Sequence, residues 1–162
     1  MENTFQTLNG YLKNNNRKIH YFFIDYTPTS IEQDAYTQSD YLQEAANYFN
    51  KNKIFSKNTD SIYLVITKAD LIEGYGNDQE KLYENINKFI DNNFKAFDVF
   101  LKNTCKKLSI NAGKYDIIAF SIGDVYCKRI CKINRKPAEI IIDTLFEKIP
   151  LQSKSIFDFL NK

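Results

Sequence analysis

Ser61-Ile62-Tyr63-Leu64-Val65-Ile66-Thr67-Lys68-Ala69-Asp70-Leu71-Ile72 is the stretch that settles the architecture. Residues 62–66 are apolar without the every-other-residue polarity of a half-exposed strand, which is the pattern of a strand covered on both faces. Thr67-Lys68-Ala69-Asp70 then turns polar, an exit from strand to loop. Covered faces call for helices above and below, so the neighbouring sequence is expected to supply them.

It does so on both sides. Upstream, Ile19-His20-Tyr21-Phe22-Phe23-Ile24 is a second nearly continuous apolar strand ended by Asp25. Thr27-Pro28-Thr29-Ser30 follows as a turn cluster, with Ser30 and Gln33 in capping-box spacing. Leu42, Ala45, Ala46 and Phe49 recur at helical spacing, which predicts a helix over 32–50. Downstream, a loop with Gly74 and Gly76 leads to Leu82, Ile86, Phe89, Ile90, Phe97, Phe100, Leu101 and Leu108, one long helix to about residue 109 with Gly113 at its exit. Tyr115–Phe120 is a third strand, and Ser121-Ile122-Gly123 turns away from it. Residues 124–135 read equally as loop or short strand. Pro137 suits a first helical turn and predicts a helix over 137–148, while Phe5, Leu8 and Leu12 place another over 1–14.

Strand and helix in alternation define an α/β fold: a three-layer domain with a parallel sheet and helices on both faces. Spatial strand order is expected to follow 19–24, 62–66, 115–120, with helices 32–50 and 78–110 on one face and helix 137–148 on the other. Within 1–162 the segments are an amino-terminal stretch 1–17, a core 18–148 and a tail 149–162.

Composition bounds the function. The chain has 162 residues, 43% hydrophobic and 26% charged, enough for an ordinary core. A formal charge of +2 from scattered Lys and Arg argues against a nucleic-acid partner. No apolar stretch approaches the ~20 residues of a membrane-spanning helix, and the start lacks an export signal, so the expectation is a cytoplasmic protein with no membrane partner. Cys105, Cys127 and Cys131 form no disulfide framework, and with His20 alone among histidines they make a poor zinc set.

Thr67-Lys68-Ala69-Asp70 resembles the guanine-specificity motif Asn/Thr-Lys-x-Asp of the P-loop GTPases of TRAFAC type. A carboxylate there accepts the guanine N1 and N2 protons while the lysine stem lies along the base. Element order from 18 to 148 is similar to the carboxyl-terminal half of that domain. Phe22-Phe23-Ile24-Asp25 resembles one of its strands, and Ser121-Ile122-Gly123 stands at its Ser-Ala-Lys turn beneath guanine O6, departing from it at Ile122 and Gly123. The resemblance implies a guanine-binding set of Thr67, Lys68, Asp70, Ser121, Ile122 and Gly123, with GTP or GDP as ligand.

The departure is large. A P-loop needs Gly-x-x-x-x-Gly-Lys-Ser/Thr to cradle phosphate and hold magnesium. The only Gly-Lys pair is Gly113-Lys114, with Leu108 and Tyr115 at the other defining places. The chain is therefore expected to be a remnant, or the carboxyl-terminal part, of a GTPase-like protein without hydrolysis of its own. In the family the strand matching 19–24 lies beside the P-loop strand. Here that edge calls for a neighbour: residues 1–17, a missing amino-terminal half, a partner chain, or a second copy as homodimer.

Two other readings come from different classes. Asp25-Tyr26-Thr27-Pro28-Thr29 resembles the Asp-x-Ser-x-Ser metal site of von Willebrand A domains, with Asp25, Thr27 and Thr29 offering oxygen to magnesium. The other is an interaction module with no small ligand.

Overall fold

A computed structural model describes residues 2–26, 37–126 and 129–148. Its elements are α1 (Glu2–Lys13), β1 (Lys18–Asp25), α2 (Gln38–Asn52), β2 (Thr59–Thr67), α3 (Gln79–Asn93), α4 (Lys95–Leu108), β3 (Asp116–Ala119), β4 (Gly123–Tyr126), β5 (Arg129–Ile133) and α5 (Lys136–Lys148).

The strands β1, β2 and β3 form one parallel sheet in that spatial order. Its register is set by Ile24 opposite Ile66, Asp25 opposite Thr67, and Ile66 opposite Ala119. Because side chains alternate across a strand, one face of the sheet collects Phe22, Ile24, Ile62, Leu64, Ile66, Ile117 and Ala119. These pack on α2, α3 and α4 through Ala46, Ile86, Ile90, Phe97 and Leu101. The other face collects Ile19, Tyr21, Tyr63, Val65 and Ile118, covered by Ile141 of α5. Thr144 holds that helix down through a hydrogen bond of 2.6 Å between its Oγ1 and Tyr21 Oη. Three layers result, as the run 61–72 requires, with Ile62, Leu64, Val65 and Ile66 all buried in the middle.

Local chemistry sets the helix ends. The helix α2 starts at a capping box in which Asp40 N donates to Thr37 Oγ1 and Thr37 N donates to Asp40 Oδ2. Ser30 and Gln33, the cap expected from sequence, lie outside the described residues. Asp78 caps α3 by accepting from Lys81 N at 3.0 Å. The single long helix expected to residue 109 is instead two. Phe94 leaves helical geometry at φ −133°, its N–H closing α3 on Ile90 O and its C=O opening α4 to Asp98 N. A break there lets the stripe of Leu82, Ile86 and Ile90 and the stripe of Phe97, Leu101 and Cys105 both reach the core, with Phe94 buried between them. For residues 124–135, open between loop and strand in the sequence, the described part is strand: Gly123–Tyr126 and Arg129–Ile133 pair as antiparallel β4 and β5.

Residues 2–13 are helical, so they supply no strand beside β1. Among the described residues β2 is the only strand paired with β1, and no helix there is long and apolar enough to cross a membrane.

His20 sits in β1 against the edge of Phe55, ring centroids 4.9 Å apart, and its Nε2 has no hydrogen-bond partner among the described residues. Burial, with a smaller effect of Lys18, lowers its pKa from 6.5 to about 4. The unfolded chain then binds more protons than the folded one between those values, so stability is full above about pH 6.5 and falls as pH drops toward 4. On lowering pH from about 7.5 to 4.5, the wild type should lose about 2–3 kcal/mol more than His20→Phe in urea denaturation. Equal losses in the two proteins would show that His20 is not held neutral by the fold.

Candidate functional site

In an open parallel sheet the loops at the carboxyl ends of the strands form a crevice where neighbouring strands send their connections to opposite faces. Here β2 continues to α3 on one face and β3 continues through the hairpin to α5 on the other. The crevice therefore lies between the exit of β2 at Thr67–Asp70 and the exit of β3 at Phe120–Gly123, the two segments singled out by sequence.

Backbone hydrogen bonds join them. Phe120 N donates to Ile66 O at 2.8 Å, and Ala69 N donates to Phe120 O at 3.0 Å. Ala69 is fully buried and Lys68 takes a left-handed conformation, φ 54°, so the chain reverses at once and puts Asp70 in a one-turn 3₁₀ helix, Ala69–Leu71. Asp70 is exposed there, and its carboxylate has no hydrogen-bond or ion-pair partner among the described residues.

Across the crevice Ser121 is buried and its Oγ accepts from Gly123 N at 3.2 Å. Gly123 has φ 106°, which a residue with a Cβ rarely adopts. Ile122 O accepts from Asn134 N at 3.1 Å, fixing the turn to the end of the hairpin. The N–H groups of Ser121 and Ile122 have no acceptor among the described residues. The exposed Asp70 and the turn Ser121–Gly123 thus lie on the loops at the carboxyl ends of neighbouring strands, joined through Ala69 and Phe120.

The ammonium group of Lys68 is engaged in an ion pair. Its Nζ lies 2.7 Å from Asp25 Oδ2, while Thr67 Oγ1 donates to Asp25 Oδ1 at 2.8 Å and approaches Ile24 O at 3.3 Å. Thr67 and Lys68 therefore clamp the ends of β1 and β2 together. Both oxygens of Asp25 are taken, one by an ammonium group that repels a cation. Thr27 and Thr29, the other oxygens of the von Willebrand-type reading, lie outside the described residues. Among the described residues no group of three His, Cys, Asp or Glu is placed to hold a metal ion.

Three cavities are lined by described residues away from this crevice. One of about 410 Å³ sits at the amino end of β1, and one of about 370 Å³ runs along the outer edge of β3 under Tyr75, Asn134 and Ile140. A third, of about 390 Å³, lies between α3, α4 and the lead into β3. Asp98 borders it, almost completely buried, accepting from Tyr115 Oη at 2.6 Å and pairing with Lys102 Nζ at 2.7 Å. Burial first, then the carboxylate of Asp98, raises the pKa of Tyr115 well above its usual value. Sequence reasoning missed this cluster. The i,i+4 spacing of Asp98 and Lys102 was visible, but Tyr115 joins only through the turn Ile110–Gly113, whose Asn111 and Ala112 also have positive φ. Cys105 nearby is buried and its thiol is pushed up to about 11, a structural rather than reactive cysteine.

Comparison with family models, with curated proteins and with solved structures finds no match for this chain.

The two carboxylate clusters should differ in weight. Asp98→Ala strips a buried acceptor from Tyr115 and should cost about 2–3 kcal/mol in urea denaturation. Asp25→Ala removes a pair whose side chains are 32% and 49% exposed, and should cost no more than about 1 kcal/mol. A larger loss at Asp25 than at Asp98 would mean that the clamp between β1 and β2, rather than the tie between α4 and β3, limits stability.

Proposed function

We propose that this chain is a GTPase-like layer that keeps a base-reading edge and lacks the phosphate-holding segment, and that it binds guanine weakly without hydrolysing GTP. One observation carries the reading: the exposed Asp70 carboxylate, without a partner among the described residues, stands on a loop that Ala69 N joins to Phe120 O, next in sequence to the turn whose Ser121 and Ile122 N–H groups have no acceptor among the described residues. Guanine is complementary to that set, since N1–H and N2–H donate to a carboxylate and O6 accepts from a backbone amide. Adenine, with no carbonyl at position 6, reverses the pattern and is rejected. Lys68 would contribute its aliphatic stem at the rim of the base while its ammonium stays with Asp25.

Energetics bound the affinity. A charged hydrogen bond contributes ~1.5–3 kcal/mol net, whereas a dissociation constant of 1 mM needs about 4 kcal/mol. No Gly-x-x-x-x-Gly-Lys-Ser/Thr segment exists in the sequence to hold phosphate, so GTP, GDP and guanosine should bind alike. Hydrolysis depends on positioning and charge around the γ-phosphate, and the sequence offers no such cradle.

In amide chemical-shift titrations, guanosine, GDP and GTP should each perturb Ala69–Leu71 and Ser121–Gly123 with dissociation constants of about 1 mM or weaker. Adenosine should not, and Asp70→Ala should abolish the guanosine response. Micromolar binding that prefers GTP and needs magnesium would overturn this account. No response to any nucleoside would favour the interaction module without a small ligand.

A further inference from the structure

The open edge of β1 is built to receive a strand. Tyr26 N donates to Thr67 O, toward β2, whereas Asp25 N turns away from β2 and donates to the Gln38 side chain at 3.1 Å. Polar backbone groups alternate sides along a parallel strand. Ile19, Tyr21 and Phe23 therefore aim N–H and C=O away from β2, and among the described residues no strand receives them. Gln38 closes the edge at its carboxyl end only. Beside these groups the surface is apolar: Phe23 is 57% exposed, and Leu145 of α5 is 40% exposed. An edge of this kind pairs readily with an added strand.

The path of α5 indicates what fills it. The helix begins at Pro137 and Ile140 near Ile117–Ala119 of β3, crosses the sheet with Ile141 on Tyr63, Val65 and Ile118, and meets Tyr21 at Thr144. It ends with Leu145 and Lys148 bordering the same cavity as Arg17, Lys18 and Ile19 at the amino end of β1. The chain is thus delivered to the start of the open edge. The crossovers from β1 to β2 and from β2 to β3 use the α2–α4 face and advance one way across the sheet. A connection on the opposite face that moves the other way, past β1, has the same right-handed sense, which parallel strands obey almost without exception.

The sequence beyond α5 suits that place. Pro150 lacks the amide N–H that a continuing helix would use, and Ser155-Ile156-Phe157-Asp158-Phe159-Leu160 is apolar around one carboxylate. Six extended residues span ~20 Å, enough to cover Ile19 to Phe23.

We propose that the open edge of β1, with the apolar flank of Phe23 and Leu145, is the docking surface for the chain's own segment 155–160, which adds a fourth parallel strand so that the order becomes 155–160, β1, β2, β3. On that pairing, the alternation of a strand assigns Phe157 and Phe159 to the face of Phe23 and α5 and Asp158 to the other. The segment completes the sheet within one molecule.

Residue-resolved amide exchange on the full chain tests this, alongside light scattering. Tyr21 and Phe23 point their N–H groups outward, whereas Phe22 donates toward β2 and serves as the internal control. Tyr21 and Phe23 should exchange slowly in a monomer, at a rate independent of protein concentration. In the double variant Phe157→Asp/Phe159→Asp they should exchange at least about tenfold faster, while Phe22 and Leu64 stay protected and show that the rest of the sheet is folded. Asp158→Asn, on the opposite side, should leave all four unchanged. Equal rates for Tyr21 and Phe23 in the wild type and the double variant overturn the proposal. Protection that rises with concentration together with dimer formation overturns it as well, since a second copy then occupies the edge.

Discussion

Burial of β2 on both faces governs how every other element is placed. Ile62, Leu64 and Ile66 point to one side and Tyr63 and Val65 to the other, all of them buried. A strand with no solvent face must have helices above and below and a strand on each side. The long connections that parallel strands need provide the helices. Phe22, Phe97 and Leu101 are layers of one packing on the α2–α4 side, where the ring of Phe22 meets Phe97 edge-on at 5.2 Å. On the opposite face, among the described residues, Ile141 and Thr144 of α5 meet the sheet.

The carboxyl edge of the same sheet shows how backbone geometry joins two loops that are distant in sequence. The bond from Ala69 N to Phe120 O and the bond from Phe120 N to Ile66 O bring two loops together that lie about fifty residues apart in sequence. Neither bond depends on a side chain, so the joining of the two loops at Ala69 and Phe120 is a property of the sheet. Asp25, by contrast, is spent on structure, neutralised by Lys68 and Thr67. Of the acidic residues that a strand-end reading brings forward, the one in the clamp holds the strands and the one beyond it faces solvent.

Charge is handled differently deeper in the molecule. Asp98 is buried and keeps both carboxylate oxygens occupied, one by a hydroxyl and one by an ammonium. A buried carboxylate with one oxygen unpaired would be costly, and the left-handed turn at Asn111–Gly113 is what carries Tyr115 to it. His20 solves the same problem the other way, by staying neutral against Phe55.

The three strands of the parallel sheet, their order and the faces taken by α2, α3, α4 and α5 were legible in the sequence, because continuous apolar runs and helical spacing are local consequences of burial. So was the polar exit Thr67–Asp70, since the change from apolar to polar at a strand end needs no tertiary information. The break at Phe94 was not legible: Phe89, Ile90, Phe97 and Phe100 keep helical spacing across it, and only the need to bury two stripes against one sheet face interrupts the helix. The cap at Thr37, the pairing of Lys68 with Asp25 and the union of Asp98 with Tyr115 were likewise decided by the tertiary structure. Each depends on which of several equivalent polar groups the packed backbone brings within hydrogen-bond distance, and that choice is made by long-range geometry rather than by any residue's own preference.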